Sequence, residues 1–418
     1  MSQSNSVWLP QLAWYGDTEL ELRFPSSWEI EVCHMRGHDW PVLSEQELRN
    51  AFEHPVGSKR IRELARGVKD VAIIFDDMTR PTPVAQIVPY VLAELREAGV
   101  TDENIRFIVA LGAHGAHNHI DFRKKLGESV AEKYPVYNHN PYENCKFVGT
   151  TSWGTPVSVN AEVMSCDLKI GIGCIVPHPF TGFGGGGKII LPGVASIDTI
   201  EANHGPLMQR AIESGQRDSI GLGHFDNNII HLDVNEAARL AGLDIKMDAI
   251  VNLRREIAAL FVGEVAAVHT EGVRVAREFY ATEPVDGADI VIANAYSKAN
   301  EAGLAIPVGA RLIRENGGDL VILANTPEGQ VTHYVMRSFG KSIGGRLWQP
   351  RSRLPSRVNR LMVFTPHIDR AGADWLAPPE AIIWLKTWDD VLKKLKMAYP
   401  GAARVVVIPD ATVQYFPS

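Results

Sequence analysis

Residues 71–88 read VAIIFDDMTRPTPVAQIV. Val71–Phe75 is an unbroken apolar run rich in β-branched residues, as a parallel strand covered on both faces requires. Two aspartates, Thr79-Arg80 and two prolines end it. Apolar residues then recur at Val84, Ile87, Val88 and Val91, the spacing of one helix face. Strand, polar turn and helix form the unit of a parallel α/β sheet, and the unit recurs. IRFIVAL (105–111) and LKIGIGCIV (168–176) predict two further strands. ADIVIANA (288–295), GDLVILAN (318–325), RLMVFTP (360–366) and ARVVVIP (403–409) predict four more, in a second region that starts near residue 285.

The expected fold is therefore α/β, with two domains, each a largely parallel sheet flanked by helices. The expected division is 1–268 and 269–418, with a ligand site in the cleft between them. Asn235 to about Glu278 reads as a mostly helical junction. DTELELRF (17–24) alternates polar and apolar residues, as does WEIEVC (28–33), which predicts an antiparallel hairpin.

Composition narrows the function. Of 418 residues, 42 are Lys or Arg and 49 are Asp or Glu, a formal net charge of -7. That balance gives no footprint for nucleic acid or an anionic membrane surface. No apolar run approaches the ~18 residues of a membrane helix, and MSQSNSVWLPQLAWYG lacks the basic and apolar regions of a secretory leader. Cys33, Cys145, Cys166 and Cys174 form no CxxC pair and read as reduced thiols of a cytoplasmic protein.

In open parallel sheets, ligands bind beyond the carboxyl ends of the strands. Three strands of the first region end in reactive residues: Asp76-Asp77-Met78-Thr79-Arg80, Gly112-Ala113-His114, and Pro177-His178-Pro179. Two histidines suit a reaction in which a proton leaves one face and returns on the other. Arg80 suits a carboxylate or phosphate through its planar fork. The run Gly182-Phe183-Gly184-Gly185-Gly186-Gly187-Lys188 has the form of a phosphate loop, but Ile189 stands where such a loop needs Ser or Thr. Lys188 is then a phosphate clamp or a nucleophile. Ser196 or Asp198 can cap a short helix leading to His204. His114, His117 and His119 match no standard zinc spacing, and His117 and His119 are expected to face solvent. No G-x-G-x-x-G follows a strand with an acidic residue ~20 positions on, which disfavours an NAD dehydrogenase.

Together DDMTRPTP, LGAH, PHPFTGFGGGGKIILPGVAS and the Asn203-His204 pair resemble the lactate racemase family, which uses a nickel-pincer nucleotide. The resemblance covers roughly residues 70–270 and weakens beyond. It implies a racemase or epimerase of a 2-hydroxy acid, lactate or a larger, sugar-derived one. It further implies nickel and a pyridinium-3-thioamide-5-thiocarboxylic acid mononucleotide attached covalently at Lys188, with His204 as the protein ligand of the metal. His114 and His178 match the acid/base histidines. Arg80 matches a substrate contact. Asp77, Thr79, Gly186 and Gly187 fall at the cofactor, and the glycine run is expected to pack against it. The implied chemistry moves the α-hydrogen as hydride while one histidine takes the hydroxyl proton and the other returns a proton to the carbonyl oxygen. Cofactor-biosynthesis enzymes are implied as transient partners.

In the family's second domain a Tyr-Gln pair, with Lys three residues later, holds substrate. Here Tyr296 fits, Ser297 replaces the glutamine, and Lys298 follows at once. Tyr296 and Lys298 are expected at the substrate, and the shift favours a larger, more hydroxylated acid. Oligomeric state is not legible. Two readings compete: a zinc or iron hydrolase using His114, His117 and His119, and a nucleotide-binding protein.

Overall fold

The computed structural model describes residues 5–340, 343–350 and 353–417. Met1–Ser4, the start of the segment read for a leader, lie outside them. Two six-stranded sheets carry the fold. The first runs, edge to edge, Ile257–Gly263, Ile245–Val251, Leu168–Cys174, Val71–Asp76, Ile105–Ala110 and Val136–Asn138. Its neighbours are parallel except for the Ile257–Gly263 edge. The second runs Ile382–Leu385, Val358–Phe364, Gly318–Leu323, Ile290–Asn294, Arg404–Ile408 and Glu29–Val32, and is parallel throughout.

Every residue of Val71–Asp76 is buried. Covering a Val, Ile or Phe side chain stabilises by about 1.5–3 kcal/mol, so this central strand anchors the first core. The helix Val84–Glu97 buries Val84, Ile87, Val88, Val91 and Leu95 against it, the face that the periodicity predicts. Its register fixes the Asp76–Pro83 turn at the carboxyl edge of the sheet.

Two expectations need correction. DTELELRF does not pair with WEIEVC. Thr18–Arg23 is antiparallel to Ser6–Gln11, while Glu29–Val32 is parallel to Arg404–Ile408 in the second sheet. Alternation predicts a half-buried strand but not its partner. The junction after Asn235 is not mostly helical: the helix Ile229–Leu240 gives way to the strands Ile245–Val251 and Ile257–Gly263. IKMDAIV holds Lys246 and Asp248, whose mutual ion pair hides a buried strand from a hydrophobicity reading. The strand Glu29–Val32 joins the second sheet, and the helix Val265–Phe279 packs its Val273, Ala276 and Phe279 into the first core.

The two sheets meet near the carboxyl end of the Ile105–Ala110 strand. The Gly115 N–H donates to Thr332 O at 3.3 Å and the Tyr334 N–H to Ala113 O at 2.7 Å. No helix among the described residues is long and apolar enough to cross a membrane.

Candidate active site

The strands Leu168–Cys174, Val71–Asp76 and Ile105–Ala110 are consecutive neighbours, so the three reactive turns lie side by side. Asp77 is buried at the end of the middle strand. Its Oδ1 accepts from the Thr79 N–H at 3.0 Å and Thr79 Oγ1 at 2.5 Å. Its Oδ2 lies 2.5 Å from His114 Nδ1. Burial alone would raise the Asp77 carboxyl, but the charge and hydrogen bond of His114, with His117 and Arg80 near, hold it far below the usual carboxylate range. An ionised carboxylate only accepts, so His114 carries its hydrogen on Nδ1 and presents a bare Nε2 when neutral. Thr79 Oγ1 also accepts from Arg80 Nη1 at 2.7 Å, joining the base and the cation in one network.

His178 is held the opposite way. The short antiparallel pair Pro177–His178 with Gly182–Phe183 fixes its backbone. Its Nδ1 lies 3.1 Å from the Phe180 N–H and 3.4 Å from the Thr181 N–H, so Nδ1 accepts and Nε2 carries the hydrogen. Burial, then the cations Lys188 and Arg80, push this imidazole well below its ordinary value and keep it neutral.

Lys188 ends a single tight turn at Gly186–Ile189. Gly186 and Gly187 make room for neighbouring protein groups, while Gly185 lines the recess beside Lys188. Gly186, at φ +54°, would drive a Cβ into His269 Nδ1, and a Cβ on Gly187 would sit 2.9 Å from Val234 O. Asp248 Oδ2 accepts from the Gly186 N–H at 2.7 Å, and His269 Nε2 lies 2.8 Å from Gly184 O, clamping the loop from two sides. The Lys188 amine is lowered to about 7 by burial, then by Arg80 and Lys298. Much of it is therefore free amine at neutral pH.

Ser196 caps the helix Ile197–Ala202, which continues through a π-helical turn at Asn203–Leu207. Such turns often mark functional positions. The turn sets His204 into the cavity wall, where burial, then Lys188, lowers its imidazole to about 3. His204 Nδ1 is buried without a hydrogen-bond partner among the described residues.

His114, His178, Lys188, His204, Arg80 and Lys298 all line one cavity of about 370 Å³. A smaller recess of about 70 Å³, lined by Asp76, Cys174 and Lys246, shares Arg80, His114 and Lys188 with it. The Cys174 thiol is pushed up to about 12 by burial and Asp76, which leaves it inert.

Several expected residues lie elsewhere. The Tyr296 hydroxyl donates to Asp17 Oδ1 at 2.7 Å, outside the cavity lining. His117 does not face solvent: its Nε2 accepts from the Met78 N–H at 3.0 Å and braces the DDMTR turn. His119 is exposed at a helix start, so the three histidines do not converge. Among the described residues no three His, Cys, Asp or Glu side chains are grouped to hold a metal ion by themselves.

The second domain adds Glu301, whose carboxylate the sequence reading takes only as part of a roomier substrate site, and His333, to which it gives no role. Glu301 Oε2 lies 2.7 Å from Lys298 Nζ and 2.9 Å from Arg80 Nη1. Burial would raise this carboxyl, but Lys298 and Arg80 hold it low. His333 and Trp375 complete the wall. Glu301 follows Lys298 at the i, i+3 spacing, a usable signal. His333 sits in THYVM, which carries none.

A cavity at the carboxyl ends of parallel strands, walled by two histidines of opposite proton polarity and a free amine, defines an acid–base site of a two-domain α/β protein. Comparison with known proteins narrows this. Residues 15–215 match the lactate racemase N-terminal domain. A lactate racemase of Thermoanaerobacterium thermosaccharolyticum is 32% identical over 282 residues, 66% of this chain, and the chain covers 64% of that relative's length. A lactate racemase of Lactiplantibacillus plantarum is 28% identical over 399 residues, 88% of this chain and 90% of its own. The fold matches the lactate racemase apoprotein of T. thermosaccharolyticum with a TM-score of 0.72 at 23% identity, covering 99% of this chain and 100% of that one. It also matches a Thermotoga maritima protein with a TM-score of 0.66 at 16% identity, over 90% and 99%. Residues 15–215 thus match a lactate racemase N-terminal domain, and the chain is similar to lactate racemases over most of its length.

Proposed function

We propose that the chain is an isomerase that inverts C2 of a 2-hydroxy acid, using a nickel-pincer mononucleotide joined to Lys188 with His204 as the protein ligand of nickel. One observation carries the reading: His114 offers a bare Nε2 and His178 an Nε2–H to the same cavity. An oxidation–reduction at C2 needs a base to take and return the hydroxyl proton and a hydrogen-bond donor to polarise the carbonyl oxygen.

The residues present suit the group. Lys188 has the free amine that a covalent attachment needs. His204 is neutral, lines the cavity and has an unpartnered ring nitrogen. Imidazole suits nickel, and a pincer supplies the remaining donors, consistent with a single protein ligand. When bound, the group supplies a reversible hydride acceptor.

The other roles belong to this chain. His114 Nε2 accepts the substrate hydroxyl proton, and Asp77 stabilises the imidazolium that forms. His178 Nε2–H hydrogen-bonds to the oxygen at C2 and polarises the carbonyl, and the His114 imidazolium returns its proton to that oxygen as the opposite configuration forms. Arg80 and Lys298 hold the substrate carboxylate. Thr79 ties Arg80 to Asp77. Gly186 and Gly187 set the loop that aims Lys188. Tyr296 donates to Asp17 and is left out of substrate contact. Loading depends on the cofactor-producing enzymes as transient partners, and the work is assigned to the cytoplasm.

The test is the intact mass and nickel content of protein made with and without those enzymes, beside a Lys188→Ala control. The reading requires a mass increase of cofactor size that depends on Lys188 and brings nickel. The loaded protein should then racemise a 2-hydroxy acid in D2O without taking deuterium at C2. No adduct under a verified cofactor supply, or deuterium entering at every turnover, sinks it.

A further inference from the structure

The roles above leave two polar side chains of the cavity unused, the buried Glu301 and the half-buried His333, and both come from the second domain. Glu301 shares Oε2 between Lys298 and Arg80. Among the described residues its Oε1 has no closer partner than His114 Nε2, at 4.0 Å, beyond hydrogen-bond range. His333 packs edge-on against the His114 ring at 5.1 Å between centroids and stacks on Trp375 at 5.5 Å. Its Nδ1 accepts from the Val335 N–H at 3.3 Å and the Met336 N–H at 3.1 Å. The Nε2 of His333 therefore carries its hydrogen, by the device that fixes His178. One acceptor and one donor thus flank the wall where His114 acts, and both line the cavity.

We propose that Glu301 and His333 form a subsite for a hydroxyl at C3 of the substrate, so that the chain selects a 2,3-dihydroxy monocarboxylic acid over lactate. The proposal rests on the 2-hydroxy acid reading above. A hydroxyl donates once and accepts twice, which matches a carboxylate oxygen and an imidazole N–H together. The methyl of lactate at the same place would leave both unpaired and shut away from water. A site built to bond a substrate hydroxyl rejects the analogue without it far more strongly than an apolar pocket discriminates a methylene. Charge sets the second limit. Arg80, Lys298 and Glu301 sum to one positive charge, which matches one substrate carboxylate. A second carboxylate would face Glu301 in a water-poor site.

Glycerate and lactate differ by this one hydroxyl, and malate adds the second carboxylate. The loaded enzyme, with its adduct verified by mass, should show kcat/KM for glycerate about 10²-fold or more above lactate, with malate lower still. Glu301→Gln and His333→Phe should each cut the glycerate-to-lactate ratio at least about tenfold, and Glu301→Gln should raise relative malate turnover. Calorimetric binding of glycerate and lactate to the same proteins reads the ratio without turnover. A merely structural role would weaken all three acids alike and leave the ratios unmoved. A wild-type preference for lactate, or ratios unchanged in both variants, overturns the proposal. Failure of the underlying reading looks different, as no 2-hydroxy acid would change configuration although the calorimetric ratio stands.

Discussion

The two walls of the cavity use one residue type in opposite ways. His114 is held by a carboxylate, Asp77, on the turn of a parallel strand. His178 is held by two backbone N–H groups on a hairpin and has cations around it. A carboxylate accepts the Nδ1–H hydrogen bond and so leaves Nε2 bare; backbone donors occupy Nδ1 and so leave the hydrogen on Nε2. Paired histidines thus acquire different resting states from their supports, with no difference in the residues themselves.

The largest expected effect comes from breaking the first support. Asp77→Asn keeps the shape but can donate as well as accept, so His114 loses its enforced tautomer and the partner of its imidazolium. By analogy with triads in which this change was made, kcat of the loaded enzyme should fall by about 10³–10⁴. Nickel content and adduct mass should stay normal. An Asp77→Asn enzyme within tenfold of wild type would mean that the carboxylate does not set His114.

The second support predicts a pH dependence of stability. Burial lowers His178, His204, His231, His269 and His333 below 6.5 in the folded chain. Below that value the unfolded chain binds protons that the folded chain refuses, so stability present above pH 6.5 is lost as pH falls. Each such histidine contributes at most about 1.4 kcal/mol per pH unit. Urea unfolding of the unloaded protein should weaken steadily between pH 6.5 and 5, and His178→Gln should flatten the slope by up to one proton. A stability that is flat or rising over that range contradicts the neutral assignment of His178.

The same contrast explains what the sequence disclosed. The strand Val71–Asp76 and the helix after it were legible because burial on both faces leaves an unbroken apolar run. His114, His178, Lys188 and His204 stood out because each ends an element or follows a glycine run. IKMDAIV was missed because Lys246 and Asp248 neutralise each other inside the sheet, and that pairing is invisible along the chain. His333 was missed for a related reason. Its role comes from Val335 and Met336 backbone groups and from the His114 ring, contacts that only the folded chain creates. Tyr296 was misplaced because its position along the chain fits while its hydroxyl turns to Asp17.

A smaller effect sharpens the comparison, because the glycine loop belongs to one wall alone. Gly182–Phe183 pairs with His178, and the loop runs on through Gly186 to Lys188. The Gly186 N–H is tied to Asp248 and the space beside it is filled by His269. Gly186→Ala must therefore displace either the loop or the imidazole, at a positive φ that alanine adopts poorly. Overpacking of this kind costs about 1–3 kcal/mol, which the unfolding midpoint of the variant would register. Because the displaced groups carry Lys188, acylation of that lysine, followed by peptide mass, should slow and lose its midpoint near pH 7, the value to which burial lowers the amine. Asp77 and His114 lie on other turns and, among the described residues, share no hydrogen bond with this loop's clamp, so the His114 ring signals in an NMR spectrum should stay in place. Coincident shifts of His114 would mean that the two walls are one mechanical unit, and that the opposite states of their histidines are set jointly and not by separate supports.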